Sequence, residues 1–187
     1  MSSSPATPAR HTPWHGDVAE LRRVLASLRG FVDGGEAVDE LVHALQCATH
    51  ALAGGAGPEL VAAALLHDVG RAPSVRELFA GKPHEQAGAR WLAPRASEKV
   101  AWLVEAHVPA KVFLVGSDPA YLEALSPESV SSLGGQRAAE AVLPHWTAHP
   151  WWPEALQLRR WDDAAKVPGA ATASVDEVLS EIAAAWQ

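Results

Sequence analysis

One stretch of the chain, residues 57–71, constrains the fold more than any other. It reads GPELVAAALLHDVGR: it opens with a proline, stays almost wholly apolar as far as His67 and reaches a glycine at Gly70. Proline at the first turn and glycine just past the end are typical of a helix. A helix that is apolar on every side must be covered by other elements, because it has no face to turn toward water. The sequence therefore predicts a buried helix that ends in the pair His67-Asp68.

Apolar residues recur at helical spacing in several other segments. DVAELRRVLASLRG, which ends at Gly30, and GGEAVDELVHALQCATHALAGG, which is bounded by glycine pairs, are predicted to be helices. HEQAGARWLA and SEKVAWLVEAH are predicted to be two more, separated by Pro94, and the second is expected to end at Pro109. A last helix, SVDEVLSEIAAAWQ, has Ser174 as its N-cap with Glu177 three residues later.

Proline and glycine divide the rest of the chain. Residues 71–83 are interpreted as a loop, and residues 111–167 as short helical stretches between prolines and glycines. No segment alternates apolar and polar residues over the length of a strand, so a sheet is not expected. The sequence predicts an all-α helical bundle.

Length and composition favour one domain. The 187 residues, 48% of them hydrophobic, suffice for a single core. Residues 1–15 are rich in Ser, Pro and Thr and are predicted to be a flexible N-terminal tail, so the domain spans residues 16–187. Cys47 is the only cysteine, which excludes an intramolecular disulfide, and it is expected to be a small buried residue. A monomer or a homodimer is expected.

Charge and hydropathy exclude two classes of partner. The formal net charge of -7 argues against nucleic acid, because binding a phosphate backbone requires clustered Lys and Arg. The N-terminus lacks the apolar stretch of a signal peptide, and no run of about eighteen apolar residues is present to span a membrane. We therefore expect a cytoplasmic protein with no membrane partner.

The adjacent pair His67-Asp68 indicates a metal site. An ionised carboxylate is costly to bury without a partner, and a metal cation would supply one. Imidazole nitrogen with carboxylate oxygen suits iron, manganese or zinc better than calcium. The alternative is that Asp68, which lies just before a turn, only closes the helix.

Four more residues of the same chemical types occur in the neighbouring segments. A single histidine on an apolar helix is more often a hydrogen-bonded core residue than a metal ligand. Their order along the chain, one set in each successive helix, favours a shared metal site instead. The additional candidate ligands are His43, His84, His107 and Asp162.

This pattern resembles the HD-domain superfamily. The minimal metal set of that superfamily, His, His-Asp and Asp, is matched by His43, His67-Asp68 and Asp162. His84 and His107 match the subset that holds two metals. By this resemblance, His43, His67 and Asp162 hold one ion, His84 and His107 hold the other, and Asp68 bridges them.

Three strings are similar to a narrower group, the phosphonate-catabolism HD proteins. They are HALQCA from His43, HVPAK from His107 and LRRWDDAAKVPG from residue 158. The characterised members are mixed-valent di-iron oxygenases related to myo-inositol oxygenase. The resemblance implies two iron ions, O2 as co-substrate, and a small organophosphonate whose C–P bond is cleaved next to a hydroxyl, or a related aminophosphonate that is hydroxylated.

Substrate contacts are predicted from the same comparison and from helical spacing. Lys111 and Arg159 are expected to bind the phosphonate, Lys111 as a point charge and Arg159 as a bidentate fork, and with Asp68 they form the predicted catalytic set. Asp33, Glu36 and Ser126 are further candidates for substrate contacts. Asp33 stands where the group usually carries a tyrosine, which implies that the substrate differs from the best known one.

Two alternatives to the oxygenase remain open from the sequence. The metals could activate water in a phosphohydrolase that acts on a nucleotide or another phosphomonoester, or the protein could be a regulatory binder that retains a metal site. The segment HWTAHPWW, residues 145–152, also has two interpretations: aromatic packing on the bundle, or a box for a trimethylammonium substrate.

Overall fold

The computed structural model describes residues 14–32, 35–136 and 143–184. Within these ranges no strand forms, and the single bridge joins Trp14 to Ala96. The all-α prediction is confirmed. The helices are α1 (Val18–Ala26), α2 (Glu40–Ala53), α3 (Pro58–Leu66), α4 (Pro73–Leu78), α5 (His84–Leu92), α6 (Glu98–Ser117), α7 (Pro119–Ala124), α8 (Pro127–Gln136), α9 (Leu143–Thr147), α10 (Trp152–Ala164) and α11 (Val175–Ala184), with a 3-10 turn over Val69–Arg71.

Helix α3 lies in the middle of the bundle, as its composition predicts. Every residue of α3 from Leu60 to Leu66 is buried. Helices α2, α6, α10 and α11 pack around it, and α5 packs on α6. By length and composition alone α6 could cross a membrane, but 61% of its most apolar window is buried inside the bundle. It is therefore accounted for as a core helix.

Several local predictions are confirmed. Gly30 follows the end of α1 with φ 74°, a left-handed conformation that favours glycine. Glu177 N–H donates to the Ser174 hydroxyl at 3.2 Å and Ser174 N–H donates to the Glu177 carboxylate at 2.7 Å, which is a capping box. Cys47 is fully buried in α2.

The prediction that Pro109 ends its helix is wrong. Helix α6 continues through Pro109 as far as Ser117. A proline inside a helix costs about 3 kcal/mol, but Val108, Ala110 and Val112 around it are all buried, and their burial outweighs that cost. The continuation places Lys111 one turn after His107 on the same helix.

Residues 71–83 are not only a loop, because they contain α4, which begins at Pro73. Proline is favoured at the first position of a helix, where its missing N–H has no partner to lose. Prolines also begin helices in residues 111–167, which were predicted to carry short helical stretches. Helices α7 and α8 begin at Pro119 and Pro127. Pro153 lies at the start of α10, which at 13 residues is longer than predicted.

The folded part of the chain includes Trp14 and His15, which were predicted to belong to the tail. Trp14 is 3% exposed and packs on Trp91 with 5.9 Å between ring centroids. The backbone N–H of His15 donates to the Arg95 carbonyl at 2.7 Å. A tryptophan buries a large apolar area, which fixes this end to the bundle. Residues 1–13 of the predicted tail lie outside the described residues.

The tryptophan-rich segment packs on the bundle around Trp102 of α6. The ring of His149 stacks on Trp102 at 4.0 Å between centroids, and Trp146 and Trp151 contact the same ring at 5.4 Å and 5.9 Å. Trp152 is buried against Phe113. The packing interpretation of residues 145–152 is therefore confirmed.

Gly70 lets the turn after α3 approach the start of α5 closely. A Cβ atom at this position would lie 1.9 Å from the carbonyl oxygen of His84 and 2.8 Å from the amide nitrogen of Gly88. Both obstacles are backbone, so α5 would have to move. The glycine therefore sets the distance between Asp68 and His84.

We expect Gly70→Ala to lower the free energy of unfolding by about 1–3 kcal/mol or more, because overpacking forces backbone shifts. Gly116→Ala in α6 is the matched control, since a Cβ there meets no atom within 4 Å. Urea denaturation of the two variants checks this. Equal stability of Gly70→Ala and the unmodified protein would show that α5 does not depend on this contact.

Candidate metal centre

The six predicted ligands come from five helices and meet in the middle of the bundle. His43 lies in α2, His67 and Asp68 follow α3, His84 begins α5, His107 lies in α6 and Asp162 lies in α10. Five of them are buried, and His84 is partly exposed at the opening of a cavity. The structure brings all six of these residues together.

His43, His67 and Asp162 form the first group of donors, with ligand atoms all within 4.8 Å of one another. The Nε2 atoms of the two histidines are 3.0 Å apart. Oδ1 of Asp162 lies 3.3 Å from Nε2 of His43, and Oδ2 lies 3.8 Å from Nε2 of His67. Two imidazoles and one carboxylate can together hold a single metal ion.

Asp68, His84 and His107 form the second group, also within 4.8 Å of one another. Oδ1 of Asp68 lies 3.1 Å from Nε2 of His84 and 3.7 Å from Nε2 of His107. The two Nε2 atoms are 3.2 Å apart. The composition of this group matches that of the first.

The two carboxylate oxygens of Asp68 face different groups. Oδ1 points toward the second group, while Oδ2 lies 3.7 Å from Nε2 of His43 and 3.5 Å from Nε2 of His67. A carboxylate in this position is able to bridge two ions, one held by each group.

Backbone carbonyls orient three of the histidines. Nδ1 of His43 lies 2.8 Å from the Ala165 carbonyl oxygen, and the equivalent contact of His107 with Val104 is 2.6 Å. His67 makes the same kind of contact with Ala64, at 2.9 Å. A carbonyl oxygen only accepts, so each Nδ1 carries a proton and each ring turns its Nε2 toward the centre of the cluster.

These tautomers test whether a metal fits the site. The Nε2 atoms of His43 and His67, which face each other at 3.0 Å, repel unless a proton or a metal cation lies between them. The donor set of imidazoles and carboxylates, with three of the four histidines held from behind by a carbonyl, is the arrangement that metal ligands adopt. The residues therefore fit a metal ion.

The charges of the site favour the forms that bind metals. Burial alone would raise the pKa of Asp68 and of Asp162, but neighbouring cations outweigh it, chiefly Arg71 for Asp68 and Arg159 for Asp162, and both pKa values lie well below the usual range. Burial lowers the pKa of His107, which therefore stays neutral. Ionised carboxylates and neutral imidazoles are the forms that ligate.

His43 differs from the other histidines. Burial by itself would lower its pKa, but the hydrogen bond and charge of Asp162, followed by the charges of Asp68 and Glu40, raise the pKa of His43 to about 9. In the absence of a metal, the proton on His43 thus compensates the negative charge of the neighbouring carboxylates. A metal ion that bound to His43 would displace that proton.

Arg159 does not offer the free bidentate fork that the sequence predicted. Its Nη1 donates to Oδ2 of Asp162 at 2.6 Å, while Nε and Nη2 both bind the carboxylate of Asp163. The buried carboxylate of Asp162 and the partly buried one of Asp163 need a cation nearby, and this requirement engages the fork. Arg159 still lines the cavity, but its clearest contact is with a metal ligand.

A cavity of about 210 Å³ opens from the second donor group toward α8. Lys111 reaches it, 2% exposed, and donates from Nζ to the Ser132 hydroxyl at 2.6 Å. Lys166 donates to the Ser129 hydroxyl at 2.9 Å and also binds the Glu36 carboxylate. The cavity is lined by Glu36, Val38, Glu40, His43, Asp68, Arg71, His84, His107, Val108, Lys111, Glu128, Ser129, Ser131, Ser132, Arg159, Asp162 and Lys166.

The remaining predicted contacts have different outcomes. Glu36 lines the cavity, as expected. Ser126 is not among the lining residues; its hydroxyl accepts from Ser129 N–H at 3.1 Å and lies 3.4 Å from Glu36, which is the position of a helix cap. Asp33 lies outside the described residues. The tryptophans of residues 145–152 do not line the cavity, so the aromatic box is not found there.

Sequence reasoning missed several lining residues. Lys166 lies within the quoted string LRRWDDAAKVPG, but was not singled out. Arg71, three residues after Asp68, has Nε at 3.1 Å from Oδ1 of Asp68 and 3.8 Å from Glu40. Arg71 lies three residues after Asp68, and Glu40 lies three residues before His43. This spacing, which places two side chains on the same side of a helical turn, was the signal that could have identified them.

A buried His/Asp cluster at the centre of an all-α bundle defines the class of HD-domain proteins, and the HD domain model matches residues 41–132. The chain is 36% identical over 155 residues to the hydroxymethylphosphonate dioxygenase of Gimesia maris, covering 79% of this chain and 77% of that enzyme. It is 34% identical over 167 residues to the glycine-betaine-forming 1-hydroxy-2-(trimethylamino)ethylphosphonate dioxygenase of Leisingera caerulea, covering 80% and 85%. The chain therefore belongs to the HD-domain family of phosphonate dioxygenases.

Proposed function

We propose that this protein uses a pair of iron ions and O2 to oxidise a small organophosphonate with a hydroxyl or amino substituent, and that it cleaves the C–P bond of an α-hydroxyphosphonate. The observation that carries the proposal is the juxtaposition of the six-ligand cluster and the buried cation Lys111 in one cavity. Both relatives are named as phosphonate dioxygenases, which supports the same conclusion.

Each donor group has a role in this proposal. His43, His67 and Asp162 would hold one ion, His84 and His107 the other, and Asp68 would lie between them. When bound, the two ions would supply redox equivalents for O2 and a Lewis acid for the substrate oxygens. The exposed side of His84 leaves the second group open toward the cavity, so we place the substrate there.

The phosphonate would lie at the end of the cavity formed by α6 and α8. Lys111 would donate to a phosphonate oxygen in place of the Ser132 hydroxyl that it binds at 2.6 Å. The hydroxyls of Ser129 and Ser132 and the ammonium of Lys166 supply further donors on the same side. Because these groups are buried or partly buried, their charge is only weakly screened by water.

The test of this function is O2 consumption by the iron-loaded protein with hydroxymethylphosphonate, other 1-hydroxyphosphonates and 2-aminophosphonates. The proposal expects O2 uptake that depends on the phosphonate, with release of inorganic phosphate in the same amount when the C–P bond is cleaved. Phosphate release from ordinary phosphomonoesters without any O2 uptake would instead indicate a hydrolase.

Removal of a ligand from one donor group should lower the metal content less than removal of Asp68, which faces both groups. We expect about two ions per chain in the unmodified protein, about one in His84→Ala and fewer than one in Asp68→Ala, because Asp68 faces both groups. His50→Ala is the control, since His50 is exposed on the same helix as His43 and should keep both ions. Elemental analysis after gel filtration measures the ratios. An unchanged ratio in Asp68→Ala would contradict the bridging position.

Lys111 should make substrate capture depend on pH. Burial, and then the Arg159 guanidinium, lower the pKa of Lys111 to about 8. Below that pH the ammonium is charged and attracts the phosphonate; above it the charge is lost, so kcat/KM should fall up to about tenfold per pH unit.

The matched variants for this pH profile are Lys111→Met and Lys82→Met. Lys111→Met should give a low kcat/KM without the decline above about pH 8, whereas Lys82→Met, which changes an exposed residue outside the cavity, should keep the original profile. The same decline in Lys111→Met would assign the titration to another group.

A further inference from the structure

Tyr121 is the only tyrosine of the chain and lies outside the ligand set. It is carried by α7, is 7% exposed, and turns its hydroxyl toward α10. There it meets Asp163 and Arg159. Burying a hydroxyl beside two ionised groups costs free energy unless all of its hydrogen bonds are made. The Tyr121 hydroxyl makes both bonds, to Asp163 and to Arg159, and these bonds connect α7 to α10.

The contacts run in an unbroken path from Tyr121 to a metal ligand. The phenol O–H donates to Oδ2 of Asp163 and accepts from Nε of Arg159 at 3.0 Å. Nε and Nη2 of Arg159 also donate to Asp163. Nη1 of Arg159 then donates to Oδ2 of Asp162 at 2.6 Å.

The charges in this path are unequal, because one guanidinium serves two carboxylates, the buried Asp162 and the partly buried Asp163. Asp162 and Asp163 therefore compete for the hydrogen bonds of Arg159. The hydrogen bond from the Tyr121 phenol partly satisfies the carboxylate of Asp163. Asp163 therefore relies less on Arg159 for its hydrogen bonds. Burial raises the pKa of Tyr121, so the donor stays protonated.

Tyr121 is also the contact that fixes the direction of the fork. Arg159, Asp162 and Asp163 all lie on one turn of α10, so their mutual contacts do not connect Arg159 or Asp163 to another helix. Within the described residues, the hydrogen bonds that join Arg159 and Asp163 to another element are those to Tyr121 of α7.

We propose that Tyr121 is a positioning residue for the metal ligand Asp162. Together with Asp163 it holds Arg159 so that the guanidinium donates a hydrogen bond to Oδ2 of Asp162. Oδ1, which lies 3.3 Å from Nε2 of His43, is thereby presented to the ion in the first donor group. The inference rests on the donor groups and is independent of the substrate.

The single tyrosine permits a direct test. In protein labelled with 3-fluorotyrosine, the 19F NMR spectrum contains one signal, which reports on Tyr121 alone. We expect saturation with zinc, a diamagnetic ion, to shift this signal in the unmodified protein and in His84→Ala, which keeps the first group, but not in Asp162→Asn. A signal that zinc does not move, although elemental analysis shows the metal bound, would overturn the proposal.

Removal of the hydroxyl gives a second, independent readout. Tyr121→Phe should weaken zinc binding at the first group by about 10-fold to 100-fold in a competition with a chelator, as expected for loss of an outer contact to a ligand. Asp163→Asn should act in the same direction. Glu123→Gln, an exposed position of the same helix, is the control and should bind zinc as the unmodified protein does.

Thermal unfolding of each variant without metal separates positioning from simple destabilisation. The proposal requires that Tyr121→Phe remain folded and lose affinity at the first group more than at the second. Zinc affinity within about twofold of the unmodified protein, or an equal loss at both groups, would assign Tyr121 a structural role only. Oxygenase activity enters none of these measurements, so a failure here is distinguishable from a failure of the proposed function.

Discussion

The structure depends on the burial of two ionised carboxylates, Asp68 and Asp162, in the middle of an apolar helical bundle. Asp68 is 6% exposed and Asp162 is 4% exposed, next to a helix that is buried along almost its whole length. Carboxylates in such surroundings require compensating cations. Arg71 beside Asp68, Arg159 beside Asp162 and the proton on His43 supply the compensation, and a metal ion held by the cluster would supply it when bound. The packing of α2, α3, α5, α6 and α10 brings these residues together.

The two buried cations nearest the cluster, Arg159 and Lys111, have different partners. On the inner side Arg159 is held by Asp163 and Tyr121 and donates to Asp162. On the cavity side Lys111 donates to the Ser132 hydroxyl, which an anionic ligand can replace. The same bundle thus carries one cation that orders a ligand and another that is available to a phosphonate.

Sequence patterns predicted the bundle, its central helix and the six His and Asp residues that the structure brings together, because apolar periodicity and the spacing of His and Asp are local signals. They missed what packing and ion pairing decide. Pro109 was expected to end a helix that core packing continues, and the ion pair of Arg159 with Asp163, four residues on, was not predicted. Tyr121 was not found, because its partner lies 42 residues away along the chain and no local pattern joins them.

The central claim is that Asp68 joins two metal sites into one centre. The most direct measurement is the electron paramagnetic resonance spectrum of the protein loaded with manganese(II). Two ions that share the Asp68 carboxylate should be magnetically coupled and give a many-line spectrum, which reverts to the six-line spectrum of an isolated ion in His84→Ala. A six-line spectrum from fully loaded, unmodified protein would show that the two donor groups act independently and would contradict the account.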